Sequence, residues 1–226
     1  MTQGQPAAGS MESLYPFLYS GTTDLDAVLE QVRQSTVAKA AEITELRRVI
    51  GARDGARLMA CAADAAARFA AGGRLLAFGN GGSATDAQLL AALFLNPGGT
   101  ARPLPALGLA SDISVVTALC NDIGVDVVFA RQVAALGRRD DIAVGLSTSG
   151  NSDNLLRAFD EASRRGLLTV GLAGYEGGKM AELDSIDYLF VAPSSSVHRI
   201  QEAQTTVYHV LWELIQLCLA PSGEAP

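Results

Sequence analysis

Two short stretches hold most of the residue types that could do chemistry. The first is Gly79-Asn80-Gly81-Gly82-Ser83, which follows the apolar run Leu75–Phe78 and opens a segment with helical patterning. A buried strand, a tight glycine turn and a helix N-terminus aim backbone N–H groups and the positive helix end at one point. That geometry suits an anion such as phosphate. The second stretch is Ser147-Thr148-Ser149-Gly150-Asn151-Ser152, with four hydroxyls in six residues just before another helical segment. Hydroxyls and N-terminal amides together make a phosphate cradle without a cationic side chain. One helix cap needs one such residue; four of them, facing a second Gly/Ser turn, favour a ligand over capping alone.

These loops need a scaffold, and the chain supplies one. From Arg74 onward, short apolar runs alternate with helical stretches. The runs are Leu75–Phe78, Leu104–Leu109, Ile142–Leu146, Leu168–Leu172 and Tyr188–Val191, each nearly continuous in apolar character, as strands covered on both faces are. Helical segments fall near Thr85–Leu95, Ile113–Leu119, Val125–Leu136, Asn154–Arg165, Gly178–Leu183 and Val197–Leu219. Repeated strand–helix–strand units predict a parallel α/β sheet with right-handed crossovers. In such a sheet ligands bind beyond the carboxyl ends of the strands, where both loops lie. Ahead of the sheet, apolar spacing predicts one helix over Asp24–Ile50 and a second over about Asp54–Ala71, ended by Gly72-Gly73. Residues 1–23 read as a flexible tail, 24–220 as one domain with a helical extension, and 221–226 as a flexible end.

Composition narrows the partners. The 226 residues are 49% hydrophobic and carry a formal charge of -7, which argues against a general nucleic-acid surface or an anionic membrane. Cys61, Cys120 and Cys218 are far apart and show no metal-ligand spacing, so they read as reduced thiols of a cytoplasmic protein. There is no signal-peptide pattern and no apolar run long enough to span a membrane.

Taken with Arg199-Ile200-Gln201-Glu202, the two loops resemble, in order and spacing, the sugar isomerase (SIS) domain family. The similarity is to the branch of phosphoheptose isomerase, which acts on sedoheptulose 7-phosphate, and of the initiator-associating protein that binds DnaA. It covers about Asp24 to Leu219. The resemblance implies a three-layer αβα sandwich with a five-stranded parallel sheet of flavodoxin-like type, a homotetramer, and active sites between subunits. It implies a phosphorylated sugar, a heptose phosphate above all, as ligand. By motif match Asn80, Gly81, Gly82 and Ser83 line the sugar end, Asn121 and Asp122 contact substrate, and Ser147, Thr148, Ser149 and Ser152 hold the phosphate. Gln201 and His209 match two residues that face the reacting carbons and, in some members, bind zinc.

The match also implies departures. In the isomerases the helix after the glycine turn carries a zinc-binding His and, four residues on, a Glu that is base or ligand; that spacing sets both on one helix face. Here the matching residues are Leu89 and Leu93, which neither bind a metal nor take a proton. His198 stands where an acidic residue is usual. Zinc takes three or four protein ligands and only Gln201 and His209 are left, so no metal or other cofactor is expected. Aldose–ketose isomerisation needs a base near two adjacent carbons and a group to polarise their oxygens. His209, about 12 Å along a helix from Gln201, is one candidate, and it also reads as a core histidine on the apolar face Val207–Trp212. Glu202 points about 100° away from Gln201, while Asp86, Asp112 and Asp122 are carboxylates near strand ends. Two functions stay open: a sugar-phosphate binder that still isomerises, and a non-catalytic regulatory or partner-binding protein.

Overall fold

A computed structural model describes residues 25–220; the expected tails at 1–23 and 221–226 lie outside the described residues. The chain divides into two units, residues 1–42 and 43–226. One helix, α1 (Leu25–Ala70), replaces the two predicted on either side of Gly51. Gly51 and Gly55 have open space around them, so nothing forces a break there. A buried stripe at Ile43, Leu46, Ile50, Asp54, Leu58, Cys61 and Ala65 keeps helical spacing straight through both glycines. Packing along that stripe outweighs a penalty of about 1 kcal/mol per glycine. Within the first unit, residues 25–42 are all exposed, Leu25 at 70% and Leu29 at 64%. The helix ends at Gly72, whose φ of 88° is the left-handed turn that C-terminal glycines supply.

The second unit is a five-stranded, wholly parallel sheet in the order β2-β1-β3-β4-β5. The strands are β1 (Leu75–Gly79), β2 (Ala106–Gly108), β3 (Ile142–Leu146), β4 (Leu168–Gly174) and β5 (Tyr188–Ala192). Strand β2 is shorter than the predicted Leu104–Leu109: the Leu104 N–H donates to the Phe94 carbonyl of the preceding helix and Pro105 has no N–H to give. The helices between are α2 (Gly82–Leu95), α3 (Ile113–Asp122), α4 (Val128–Leu136), α5 (Asp153–Arg164) and α6 (Val197–Leu219). The predicted helix over Val125–Leu136 opens as a 3-10 turn over Val125–Val127 before α4, and the predicted Gly178–Leu183 segment is a 3-10 turn over Gly178–Glu182.

Alternation along the strands builds the layers. Leu75, Ala77, Ile142, Val144, Leu146, Leu168, Val170 and Leu172 share one core with α1, α2 and α6. Leu76, Phe78, Ala143 and Ala173 share the other with α4 and α5, where Phe78 packs against Phe129 and Phe159. Among the described residues no helix is long and apolar enough to cross a membrane. The chain runs from β1 outward to β2, then returns past β1 to β3, so the sheet's switch point lies between β1 and β3. Gly79 is in register with Leu146, so the two strands end level and the glycine turn and the Ser/Thr loop flank one crevice.

Candidate ligand site at the sheet switch point

The β1 turn is shaped by close approach. A side chain at Gly79 would stand 2.6 Å from the Ser83 carbonyl oxygen and 2.9 Å from that of Leu146, so the turn folds directly over the end of β3. Gly81 holds φ 54°, ψ −123°, a backbone that glycine tolerates and other residues do not. Ser83 is buried. At Gly82 the missing side chain makes room for the Gln201 amide of α6, whose Nε2 occupies the space a Cβ would fill. Two predicted site residues, one from each end of the second unit, thus meet in the crevice.

Asn80 is engaged differently. Its carboxamide and that of Asn154 form a reciprocal pair, each Nδ2 donating to the other's Oδ1 at 2.9 Å. Asn154, on the first turn of α5, is buried, whereas Asn80 is exposed. The pair ties the β1 turn to the helix that follows the Ser/Thr loop. Sequence reasoning missed Asn154, since a polar residue near a helix start carries no mark of burial.

The β3 loop turns on Ser147. Its N–H donates to the Leu172 carbonyl at 2.9 Å, continuing the ladder. Its Oγ accepts from the Gly150 N–H at 3.0 Å, and its carbonyl accepts from Gln204 Nε2 at 3.2 Å. Ser147 is buried, while Thr148, Ser149 and Ser152 are half-buried; Ser149 Oγ accepts from the Asn151 N–H at 3.3 Å and lies 3.5 Å from Ser147 Oγ, so Ser147 anchors the loop and the other three hydroxyls lie nearer the surface. Gly150 sits at φ 66°, and a side chain there would run into the Gly177 carbonyl. Ser152 occupies the N-cap position of α5 but makes no capping bond, nor does Ser196 before α6. Asp112, by contrast, caps α3 by accepting from the Ser114 and Val115 amides. The hydroxyls of the β3 loop are therefore not spent on capping, and the first amides of α5 remain available to an anion. Beside the loop, at the ends of β4 and β5, lies an open cleft of about 780 Å³ walled by Ser149, Asn151, Tyr175, Ser194 and Ser195. Tyr175 holds φ 51°, a strained value for a residue with a side chain.

The other predicted residues lie elsewhere. Asn121 and Asp122 bond to each other at 2.9 Å on an exposed helix end. His209 is exposed and stacks on Tyr208, with centroids 5.1 Å apart, so it is not a core histidine. His198 is exposed, and Glu202 pairs with Arg199. Leu89 is 55% exposed, and Leu93 packs against the core. Asp86, one turn into α2, has a buried Oδ2 with no hydrogen-bond partner, and burial raises its carboxyl above the usual range. Tyr208 is raised as well, by burial first and by the Asp86 charge in smaller part. Among the described residues no group of three or more His, Cys, Asp or Glu could hold a metal such as zinc, and Leu89 and Leu93 carry no donor atom. The donor set present does not fit that ion.

The SIS domain family matches residues 39–174. A phosphoheptose isomerase of Solidesulfovibrio magneticus is 44% identical over 192 residues, covering 84% of this chain and 89% of its own. That of Thermodesulfovibrio yellowstonii is 45% identical over 146 residues, covering 64% and 72%. Among solved structures, the phosphoheptose isomerase from Neisseria gonorrhoeae aligns with a TM-score of 0.73 at 35% identity, over 81% of this chain and 98% of that one.

Proposed function

Because the chain belongs to the SIS domain family and to its phosphoheptose isomerase branch, we propose that it binds a phosphorylated sugar, a heptose phosphate, at the β1/β3 crevice. The phosphate rests on Thr148, Ser149 and Ser152 and the first amides of α5. The sugar end extends toward Gly81, Gly82, Ser83 and Gln201. One observation carries the reading: a loop with three half-buried hydroxyls, folded on a buried serine and with no capping bond from Ser152, follows a strand that ends level with a glycine turn into which Gln201 packs. A thermal-stability screen against sugar phosphates tests it. Stabilisation by a heptose 7-phosphate is expected, and no shift with any sugar phosphate refutes it.

Isomerisation of sedoheptulose 7-phosphate is the reaction the branch suggests. With leucine at 89 and 93 it would run without the family's base, leaving the imidazole of His209 to move the proton and the Gln201 amide to polarise a substrate oxygen. Interconversion of the heptose phosphates, measured with and without zinc and with His209→Ala, tests this; a His209→Ala chain as active as wild type removes His209. The exposure of Leu89 favours a second reading, a non-catalytic regulator that binds a protein partner such as an initiator. No turnover together with direct binding to purified DnaA from the same cell supports it. In either case we propose a cytoplasmic homotetramer. The exposed apolar residues of α1 and of helix α3, none of whose side chains is fully buried, support this assembly, and light scattering that returns a monomer overturns it.

A further inference from the structure

The buried face of α6 is apolar except at two places. Ile200, Ala203, Val207, Leu211 and Ile215 share it with Tyr208 and with Gln204, which is 1% exposed. A carboxamide removed from water costs free energy unless its groups are bonded, so a glutamine in this stripe calls for a reason. Its Nε2 donates to the Ser147 carbonyl, and its Oε1 has no partner. The Ser147 carbonyl lies just past the end of β3, at the first residue of the Ser/Thr loop. The two remaining polar groups of that residue are fixed by Leu172 and Gly150.

We propose that Gln204 is the positioning residue of the anion cradle. It holds the Ser147 carbonyl from behind, and thereby fixes the direction in which the Thr148–Ser152 hydroxyls and amides face the ligand. The inference rests on the reading of that loop as the phosphate site. Gln204 does not touch the ligand; it acts through Ser147. Without it the buried carbonyl loses its donor, and the peptide plane between Ser147 and Thr148 gains freedom to rotate toward other donors. The amides further along the loop then no longer converge. The pairing also runs from α6, which carries Gln201, to the cradle, so one helix sets both ends of the crevice.

The test uses the full chain and inorganic sulfate, whose charge stays constant between pH 5 and 8, measured by equilibrium dialysis. Ser149→Ala marks the sulfate as cradle-bound by weakening it. Gln204→Met keeps the volume and removes the donor; it is expected to weaken sulfate about tenfold, the effect of one buried hydrogen bond lost with its acceptor stranded. Gln204→Glu adds a readout that a packing role does not give. As a neutral acid it donates to the carbonyl, and as a carboxylate it cannot. Its affinity relative to wild type therefore falls as pH rises from about 5 to about 8, because burial moves such a carboxyl upward into that range. The wild-type chain, with the same Asp86, Tyr208 and histidines, is the control for other titrations. Wild-type binding that both variants match at every pH overturns the role of Gln204 and leaves the cradle standing. Absence of sulfate binding by wild type overturns the cradle, and the role of Gln204 with it.

Discussion

The Asn80–Asn154 pair separates a structural role from a ligand-binding one, because its two members are buried unequally. Both hydrogen bonds are 2.9 Å, but Asn154 is 5% exposed and Asn80 is open to water. Asn80→Ala strands a buried carboxamide that water cannot reach. Two lost bonds at about 1 kcal/mol each, together with the desolvation of the orphaned amide, bring the cost to about 3 kcal/mol. For a chain of this size that lowers the melting temperature by roughly 6–12 °C. Asn154→Leu replaces the buried amide with an apolar group of similar volume and leaves only the exposed Asn80, which water serves; about 1 kcal/mol is expected. The double variant Asn80→Ala/Asn154→Leu contains no stranded amide, so it is more stable than Asn80→Ala alone by about 2 kcal/mol. Chemical denaturation of the four proteins reads the cycle. An Asn80→Ala chain within about 0.5 kcal/mol of wild type, the spread of an ordinary surface substitution, would refute the reasoning. Weakened sugar-phosphate binding in that same chain would make Asn80 a ligand contact instead of a tie.

Three further outcomes follow from the same geometry. Gly82→Ala puts a Cβ where Gln201 Nε2 now sits, and the glutamine is the flexible partner, so binding of sugar phosphate is expected to drop about tenfold while the melting temperature holds or rises, alanine being the better helix former; calorimetric titration beside thermal melting checks it. Burial raises the Asp86 carboxyl, so the folded chain binds that proton more readily than the unfolded one and stability falls as pH rises through the window above the ordinary carboxyl value. Asp86→Asn is therefore more stable than wild type at pH 7, with the advantage gone at pH values where both states are protonated, as denaturation midpoints across that range will show. Burial pushes the Cys61 thiol up to about 12, so alkylation at pH 8 followed by mass spectrometry is expected to label exposed Cys218 and to spare Cys61 until denaturant is added.

What the sequence made legible was the part set by local pattern. The apolar runs gave all five strands, and α6 begins and ends at the residues its periodicity marked, Val197 and Leu219. The glycine turn and the Ser/Thr loop were readable as connections at strand ends because glycines and hydroxyls break the apolar runs there. Long-range pairing was not readable. Gln204 and Asn154 look like ordinary polar helix residues, and only the sheet order brings them to Ser147 and Asn80. The continuity of α1 was hidden because Gly51 is a breaker by propensity, and the burial that overrides it depends on partners far along the chain. Asp112, a carboxylate near the end of β2, proves to be a cap.

The residues proposed to make the cradle and those that match the isomerase chemistry are different sets, and this bears on how far one can change without the other. The proposed cradle is backbone and hydroxyl, in a loop bonded through Ser147, Gly150 and Gln204. Leu89 and Leu93 make none of those bonds, so a change of side chain at either position leaves the bonding of the loop whole. Leu93 also packs against the core, where a carboxylate would need a partner or a proton. Restoring Glu at 93 therefore has a predictable character: the acid enters a half-apolar setting that raises its pKa, the condition under which a carboxyl is a usable base near neutral pH. On this reading binding constrains the loops, while chemistry constrains α2 together with Gln201 and His209 of α6, so the two can vary separately.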